Sequence, residues 1–226
     1  MFRSLLPLLL LPAAVVVSGC PTASSLSSAR TLDRGAVEVT VAPTVINGIA
    51  LGQNDDGQTT SSVVGVPSAE AHIRYGISDR VEIGAKLYLG GFAGHLKLGL
   101  IRSETADDGF NLSFDPGLSY AGIGAGGVGV GVVYLYLPVL AGYRFGGHEL
   151  TFGPRLVPAL AGVTVGSGSG NGMVVLGGGS LGISLRLGDS FRLHPELSLL
   201  APLNQDPSDS QGAVAQFSLG FSFGRN

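Results

Sequence analysis

The chain has 226 residues, a formal net charge of −3, 37 glycines, one cysteine and only 13% charged side chains. A single cysteine excludes a disulfide framework and a zinc site built from cysteines, and so small a net charge gives no electrostatic footprint for nucleic acid. With a hydrophobic fraction of 45% the composition argues against disorder and favours a glycine-rich β protein with an apolar surface.

An export signal opens the chain. Arg3 is followed by an apolar run from Leu5 to Val17, which is shorter than the roughly 20 residues that a helix needs to cross a bilayer. A basic residue, a short apolar core and small residues after it are typical of a secretory signal. We therefore predict a cleaved signal peptide over residues 1–19.

The residues around the only cysteine point to lipidation. Val17-Ser18-Gly19-Cys20 resembles the lipobox of bacterial lipoproteins. The resemblance implies cleavage before Cys20 and a diacylglycerol on its sulfur, and Pro21 in place of aspartate implies sorting to the outer membrane. The alternative is a free cysteine after an ordinary signal. Residues 21–33 are small and polar, so we expect lipidated Cys20 and a flexible tether over residues 20–33.

From residue 34 onward apolar and polar residues alternate with period two, which predicts that residues 34–226 form an all-β domain. Between Val81 and Leu89, for example, five apolar residues share one face, while Glu82 and Lys86 lie on the other. The predicted strands lie near 34–50, 63–76, 81–90, 94–103, 109–121, 130–146, 149–162, 173–188, 190–202 and 213–223.

The connections between these strands alternate in character. One set is tight or charged and comprises residues 76–80, 104–108, 146–148 and 188–190. The other set is mostly longer and polar or glycine-rich and comprises residues 52–62, 90–94, 122–129, 164–172 and 203–212. We expect the tight turns and both termini at the periplasmic end, and surface interactions through the longer loops.

The apolar face of the strands is predicted to contact lipid. The opposite face carries glycine, serine and alanine mixed with charges of both signs, which suits a narrow barrel interior better than a water-facing surface. Aromatic residues of the apolar face lie near the tight turns and the C-terminus, as in an interfacial girdle: Tyr75, Phe110, Tyr143, Phe145, Phe152, Phe191, Phe221 and Phe223. The alternative is a soluble periplasmic β-barrel lipoprotein that binds a ligand and turns its apolar face inward.

Residues 34–226 as a whole resemble the small outer-membrane β-barrels of Gram-negative bacteria. Phe221-Ser222-Phe223 resembles their C-terminal assembly signal, although Gly224-Arg225-Asn226 follow it. The resemblance implies an antiparallel up-and-down transmembrane β-barrel of about ten strands, with eight or twelve as alternatives. It also implies outer-membrane lipid, the barrel-assembly machinery and the lipoprotein-sorting machinery as partners, and it names no surface ligand.

Prolines are the observation that fits this architecture least. A proline removes one hydrogen-bond donor from a strand ladder, and a closed barrel has no edge strand to hold it. Irregular strands or bulges are therefore expected at Pro138, Pro154, Pro158 and Pro195.

Charged and imidazole side chains on the inward face form the best-defined candidate site. The predicted network comprises Glu38, Glu70, His72, Arg74, Glu82, Lys86, Lys97, Asp115, Arg144, Arg155, Arg186, Arg192, His194 and Glu196. Pairing would offset the large cost of holding such groups in a confined interior. The alternative is a narrow pathway for small anions, which would make the protein a small pore.

Catalytic residues, metal ligands and cofactors are not predicted. Residues 122–127 match G-x-G-x-x-G and residues 178–182 match G-x-S-x-G, but both lie in strand-like sequence, whereas each motif needs a turn into a helix. His72 and His194 share a face with carboxylates, and His95 is predicted near the outer rim. The favoured function is therefore a structural or surface-interaction barrel with a packed polar lumen, and an enzyme is the least favoured class.

Overall fold

A computed structural model describes residues 22–53, 59–125, 128–165, 168–204 and 211–224. The described strands are β1 (Val37–Gln53), β2 (Thr59–Ser78), β3 (Val81–Tyr88), β4 (Gly91–Ile101), β5 (Gly109–Phe114), β6 (Gly117–Ala125), β7 (Val128–Phe145), β8 (His148–Val165), β9 (Gly168–Arg186), β10 (Phe191–Pro202) and β11 (Gln211–Gly224). In this part of the chain, no helix is both long and apolar enough to cross a membrane.

The strands close into an antiparallel barrel in which sequence neighbours are also spatial neighbours. β1 pairs with β2 on one side and with β11 on the other, which joins the two ends of the sheet. β5 and β6 both lie between β4 and β7. They therefore occupy one position, and the described residues form ten positions around the barrel. This confirms the predicted fold class and the favoured strand number.

Pro116 divides a strand that was predicted to be continuous over residues 109–121. The pairing register of β7 is the same with β5 and β6, since Phe114 pairs with Val139 and Gly117 with Tyr136. Only the ladder is interrupted, because proline has no N–H to donate. The Asp115 N–H still donates to the Pro138 carbonyl, at 3.1 Å.

At the four other prolines the expected bulges are absent, but the ladder is interrupted there: the β7–β8 pairing skips residues 135–136 and 139–140, and the β9–β10 pairing skips residues 194–195. Pro138, Pro154, Pro158 and Pro195 all lie within strands whose register continues unchanged on both sides. The register shifts recorded for the described strands lie elsewhere, at residues 76–78 and 99–101.

The long connections predicted from glycine and serine content are shorter in the structure. β1 and β2 pair as far as Gln53 with Thr59, β6 and β7 as far as Ala125 with Val128, and β8 and β9 as far as Val165 with Gly168. Only the tips of the predicted loops, at residues 54–58, 126–127, 166–167 and 205–210, lie outside the described residues. Polar and glycine-rich sequence therefore continues the strands, because ladder hydrogen bonds do not depend on side chains.

The two ends of the barrel differ. We call the end with the connections 79–80, 102–108, 146–147 and 187–190 the turn end, and the opposite end the loop end. At the turn end, Gly146 and Gly147 have φ values of 56° and 80°, which is the backbone geometry that a two-residue hairpin turn requires. The wall is lower at the β3–β4 hairpin, whose strands have 8 and 11 residues, than at β7 to β9, whose strands have 18 or 19.

Burial is inverted relative to a water-soluble β protein. Inward side chains such as Glu82, Lys97 and Glu149 are 0% exposed, whereas outward side chains such as Leu181 and Leu197 are 53% and 58% exposed. The alternation in the sequence therefore places charge inside the barrel and apolar side chains outside it.

Residues 22–32, which we call the lumen segment, lie inside the barrel. Ala23 and Leu26 are fully buried, and Leu32 is buried close to the turn end. The flexible tether expected over residues 20–33 is therefore replaced, from residue 22 onward, by an ordered segment bonded to the wall. Cys20, the signal peptide and the lipobox lie outside the described residues.

Candidate functional site

The lumen contains the charged side chains that the alternation predicts on the inward face. Near the turn end, Lys97 Nζ donates to Glu82 Oε1 at 3.0 Å, and Arg144 Nε donates to Glu149 Oε2 at 2.6 Å. Arg74 binds Glu38. Each pair joins neighbouring strands, so ladder register decides which charges meet.

A second network lies further toward the loop end and is centred on Glu70 of β2. Its carboxylate lies 3.1 Å from His72 Nε2 and 3.5 Å from Lys86 Nζ. Gln216 Nε2 donates to Glu70 Oε1 at 2.7 Å. Charge-assisted hydrogen bonds of this kind compensate a buried carboxylate for its lost hydration.

The predicted charge network occupies the lumen, with one member at its edge. Arg186 is 37% exposed and contacts Asp107 at 3.0 Å in a turn-end connection. Glu149, which the prediction omitted, is fully buried. The alternation could have identified Glu149 as an inward residue, because it lies on the same face of β8 as Thr151 and Arg155.

Carboxylates of the wall accept the backbone N–H groups of the lumen segment. Glu196 accepts from the N–H groups of Ser25 and Leu26, at 2.6 and 2.7 Å. Glu149 accepts from Ala29 N at 2.6 Å. Toward the turn end, Glu82 accepts from Leu32 N at 3.0 Å. Toward the loop end, the side-chain oxygen of Gln216 accepts from Ala23 N at 2.6 Å.

Cations of the wall donate to the carbonyl groups of the same segment. Lys86 Nζ donates to the Ser24 carbonyl at 2.7 Å, and Arg74 Nη2 donates to the Leu26 carbonyl at 3.2 Å. Arg155 donates to the Ala23 carbonyl. The wall therefore binds both kinds of main-chain group of an extended peptide.

Arg30 fastens the segment at the turn end. Its Nη1 donates to the Ser103 carbonyl at 2.8 Å and to the Thr105 carbonyl at 3.2 Å. Burial lowers the pKa of Arg30 below its ordinary value, and the nearby guanidinium groups of Arg102 and Arg144 act in the same direction.

A buried hydrophobic cluster occupies part of the lumen nearer the loop end. Ala23 packs there into a buried cluster with Tyr88, Ala121, Val132, Tyr134, Val157, Ala159 and Leu200. The predicted polar lumen is thus found beside most of the lumen segment, and it ends where this cluster begins.

The three lumen histidines each lie beside a carboxylate. His95 Nδ1 lies 2.7 Å from Asp115 Oδ1, so its side chain faces the lumen, and it lies four residues after β4 begins at the loop end. His194 Nε2 is 4.0 Å from Glu196, too far for a hydrogen bond. Both oxygens of Glu196 accept hydrogens from the lumen segment, which is a structural use of this carboxylate.

Ser180, the serine of the G-x-S-x-G match, lies in the middle of β9. It accepts a hydrogen bond from Arg155 and lies 3.4 Å from the Ser25 hydroxyl. The strand-to-helix turn that a nucleophile elbow needs is not present at this position. Across the described ranges, His, Cys, Asp and Glu side chains form no group of three or more that could hold a metal ion.

The outward surface carries the aromatic residues singled out in the sequence. Tyr75, Phe110, Tyr143, Phe145, Phe152 and Phe223 are between 43% and 58% exposed. Phe191 packs on Phe223 with a ring-centroid distance of 5.1 Å. Phe221 lies on the same alternating face of β11 as Phe223.

A depression of about 1000 Å³ lies on the outer wall of β6 to β9 near the loop end. Outward glycines, among them Gly122, Gly131 and Gly162, form its floor, and Tyr120, Leu160 and Met173 form its rim. Charged side chains do not contribute to its described lining. It is therefore part of the apolar outer surface.

No protein-family model matches the chain, and no curated protein matches it. Solved structures with a similar chain path include the attachment invasion locus protein Ail of Yersinia pestis, at 10% identity and a TM-score of 0.42, covering 84% of this chain and 99% of that one. The outer membrane protease OmpT of Escherichia coli gives 9% identity and 0.48, covering 87% and 98%. Neisserial surface protein A gives 12% and 0.42, covering 82% and 96%. Because these TM-scores lie below 0.5, the barrel assignment rests on the strand pairing of this chain.

Proposed function

We propose that this chain is an outer-membrane β-barrel lipoprotein with a closed lumen and a structural or surface-interaction role. The observation that carries the proposal is the inverted burial of the barrel. Fully buried Glu82 and Lys97 lie inside, while outward side chains such as Ile73 and Leu87 are 52% and 63% exposed. A soluble ligand-binding barrel, the alternative, would place its apolar face inside.

The apolar outer surface supports a membrane location because exposing so much apolar area to water is unfavourable. Soluble monomers rarely expose continuous apolar patches of more than a few hundred Å². Here large apolar side chains are exposed on each of the described strands of the barrel. Lipid around these strands would cover the apolar side chains, and the backbone is already hydrogen-bonded between the strands. The turn end would then lie toward the periplasm.

Electrophoretic mobility tests the membrane barrel. The purified chain in mild detergent should migrate differently before and after boiling, and it should stay with membranes during carbonate extraction. An unshifted band together with release by carbonate would reject the barrel in favour of a soluble lipoprotein domain.

The buried lumen segment favours a closed barrel over a small pore. It fills the lumen from Thr22 to Leu32 and bonds to charges that would otherwise line a pathway. Planar-bilayer recordings separate the two functions, since a closed barrel should give no reproducible unit conductance. A stable unit conductance from the unaltered protein would replace the structural role by the pore.

The acyl anchor on Cys20 rests on its resemblance to a lipobox. Labelled fatty acid should be incorporated into the unaltered protein and lost in the Cys20→Ala variant, and persistent labelling would refute the assignment. Two residues of extended chain span only about 7 Å, and Thr22 is buried in the lumen. Acyl chains in lipid therefore require the N-terminal end of the lumen segment to leave its contacts in the anchored form.

The proposed partners follow from the location. Insertion would require outer-membrane lipid and the barrel-assembly machinery, and the anchor would require the lipoprotein-sorting machinery. Surface interactions would take place at the loop end. An enzymatic role gains no support from the His72–Glu70 and His194–Glu196 contacts, because both carboxylates are engaged by lumen side chains and by the lumen segment.

A further inference from the structure

We infer that the lumen is a binding site for an extended polypeptide main chain, and that residues 22–32 are its tethered ligand. The ligand class is an extended peptide of mostly small residues, with a buried leucine where Leu26 lies, whose N-terminal end points to the loop end. This inference concerns the inner wall and does not depend on the membrane location. It describes the chain without the acyl anchor, because anchoring in lipid would release the N-terminal end of the segment.

The first observation is that acceptors and donors of the wall match the main chain of the segment. Glu196, Glu149 and Glu82 accept N–H groups of the segment, and Arg155, Lys86 and Arg74 donate to its carbonyl groups. These six side chains come from four strands, β2, β3, β8 and β10, and follow the segment along the barrel axis. A surface that binds peptide groups in this way recognises backbone in preference to particular side chains.

The second observation is independent of charge and concerns wall glycines. A Cβ atom at Gly142 would lie 2.8 Å from Ala29 Cβ, and one at Gly220 would lie 3.2 Å from Leu26 Cδ2. At Gly76 it would lie 3.1 Å from the Leu32 carbonyl oxygen. These glycines leave the room that the segment occupies, and a larger residue at any of the three wall positions would reduce that room.

The third observation is the cost of an empty site. Glu82 and Glu149 are 0% exposed, and Glu196 is 3% exposed. Each is satisfied in part by an N–H group of the segment, and a buried carboxylate without partners is strongly unfavourable. A peptide, or water in its place, must therefore occupy the lumen. The donors and acceptors of the wall match the main-chain groups of the peptide.

A disulfide tests the placement of the segment. The Ser25 and Ser180 hydroxyl oxygens are 3.4 Å apart, so the Ser25→Cys/Ser180→Cys variant, made with Cys20→Ser, should form a disulfide in the folded protein under mild oxidation. The Ser27 hydroxyl oxygen accepts a hydrogen bond from Arg74 Nη1 at 2.7 Å, so it faces Arg74. The matched control Ser27→Cys/Ser180→Cys should therefore stay reduced. Equal cross-linking of both pairs, or of neither, would overturn the inference.

Peptide binding tests recognition in trans. Proline at positions 26 and 29 removes two bound N–H groups, and proline cannot adopt the φ of 43° found at Leu26. The Leu26→Pro/Ala29→Pro chain should bind a fluorescent synthetic peptide of residues 22–32, measured by anisotropy. The unaltered chain should bind it at least about tenfold more weakly, because its own segment is present at a high effective concentration.

A peptide carrying the same two prolines is the control for main-chain recognition and should not bind. Equal binding of both peptides, or no binding of the unmodified peptide to the folded proline variant, would overturn the inference. If the proline variant does not fold, Ser25→Cys in the Cys20→Ser chain gives the second readout. Its maleimide labelling should be at least about tenfold slower than that of Arg34→Cys, an exposed position, and comparable rates would also overturn the inference.

Discussion

Glycines at single positions decide how closely the lumen side chains approach the wall. Gly84 of β3 faces His95 of β4 across the ladder, and a Cβ atom built at Gly84 would lie 2.0 Å from His95 Nε2. His95 is itself held by Asp115 at 2.7 Å. The imidazole therefore has little freedom to move aside.

Gly84→Ala is expected to destabilise the barrel by about 1–3 kcal/mol, because the new methyl group displaces His95 and breaks its hydrogen bond to Asp115. Gly94→Ala is the matched control in the same hairpin, since a Cβ there meets no atom closer than 4.0 Å. The measurement is the urea concentration at which heat-modifiable migration is lost. Equal loss in both variants would contradict the proposed role of the His95–Asp115 contact.

The inward residues of single strands were predictable, whereas their partners were not. Alternation places Glu70 and Arg74 on the same side of β2, because period two decides the face locally. It does not decide that Arg74 meets Glu38 or that Gln216 meets Glu70. Those contacts depend on the register between strands that are far apart in the chain.

At the scale of an element, each strand presents apolar side chains outward over its length. β10 illustrates this, because Leu197 lies near its middle and is 58% exposed. Leu203 follows the strand at the loop end and is 61% exposed. The two leucines are expected at different depths in the membrane, although their exposed fractions are nearly equal.

Leu197→Lys should lower the stability of the inserted barrel by about 2–4 kcal/mol, and Leu203→Lys by no more than about 1 kcal/mol, because the cost of a charge on a lipid-facing strand depends on depth. Refolding titrations in lipid vesicles measure the difference. If both variants are equally neutral, the outer surface does not face hydrocarbon.

The strand lengths show why glycine and serine content misled the prediction of loops. Thr164 and Ser169 pair in register, as do Gly124 and Gly129. Composition alone marks such residues as turn formers. In a hairpin they extend the ladder, because the neighbouring strand already supplies the hydrogen-bond partners.

At the scale of the whole molecule, the two ends of the barrel differ in basic residues. The predicted loop regions 52–62, 122–129, 164–172 and 203–212 contain neither lysine nor arginine. The turn end carries exposed Arg34 and Arg80. Arg34 lies between the lumen segment and β1, where cleavage would separate the two.

Trypsin added outside intact cells should therefore leave the protein uncut, whereas trypsin added after permeabilisation should produce a barrel fragment that begins at Gly35, detected by mass spectrometry. Ser169→Arg places a cleavage site at the loop end and should make the protein sensitive from outside. Cleavage after Arg34 in intact cells would reverse the proposed orientation.

The sequence by itself determined the all-β class, the approximate strand number and the side of each strand that carries charge, because alternation is local and one face of every strand differs in polarity. Tertiary structure alone decided which charges pair, how far the hairpins extend and what fills the lumen. Residues 22–32 have no periodicity, and the sequence of a small polar segment does not indicate whether the segment is solvated or bound. Only closure of the barrel brings Glu82, Glu149 and Glu196 around it, and their need for hydrogen-bond partners in a confined interior places the segment there.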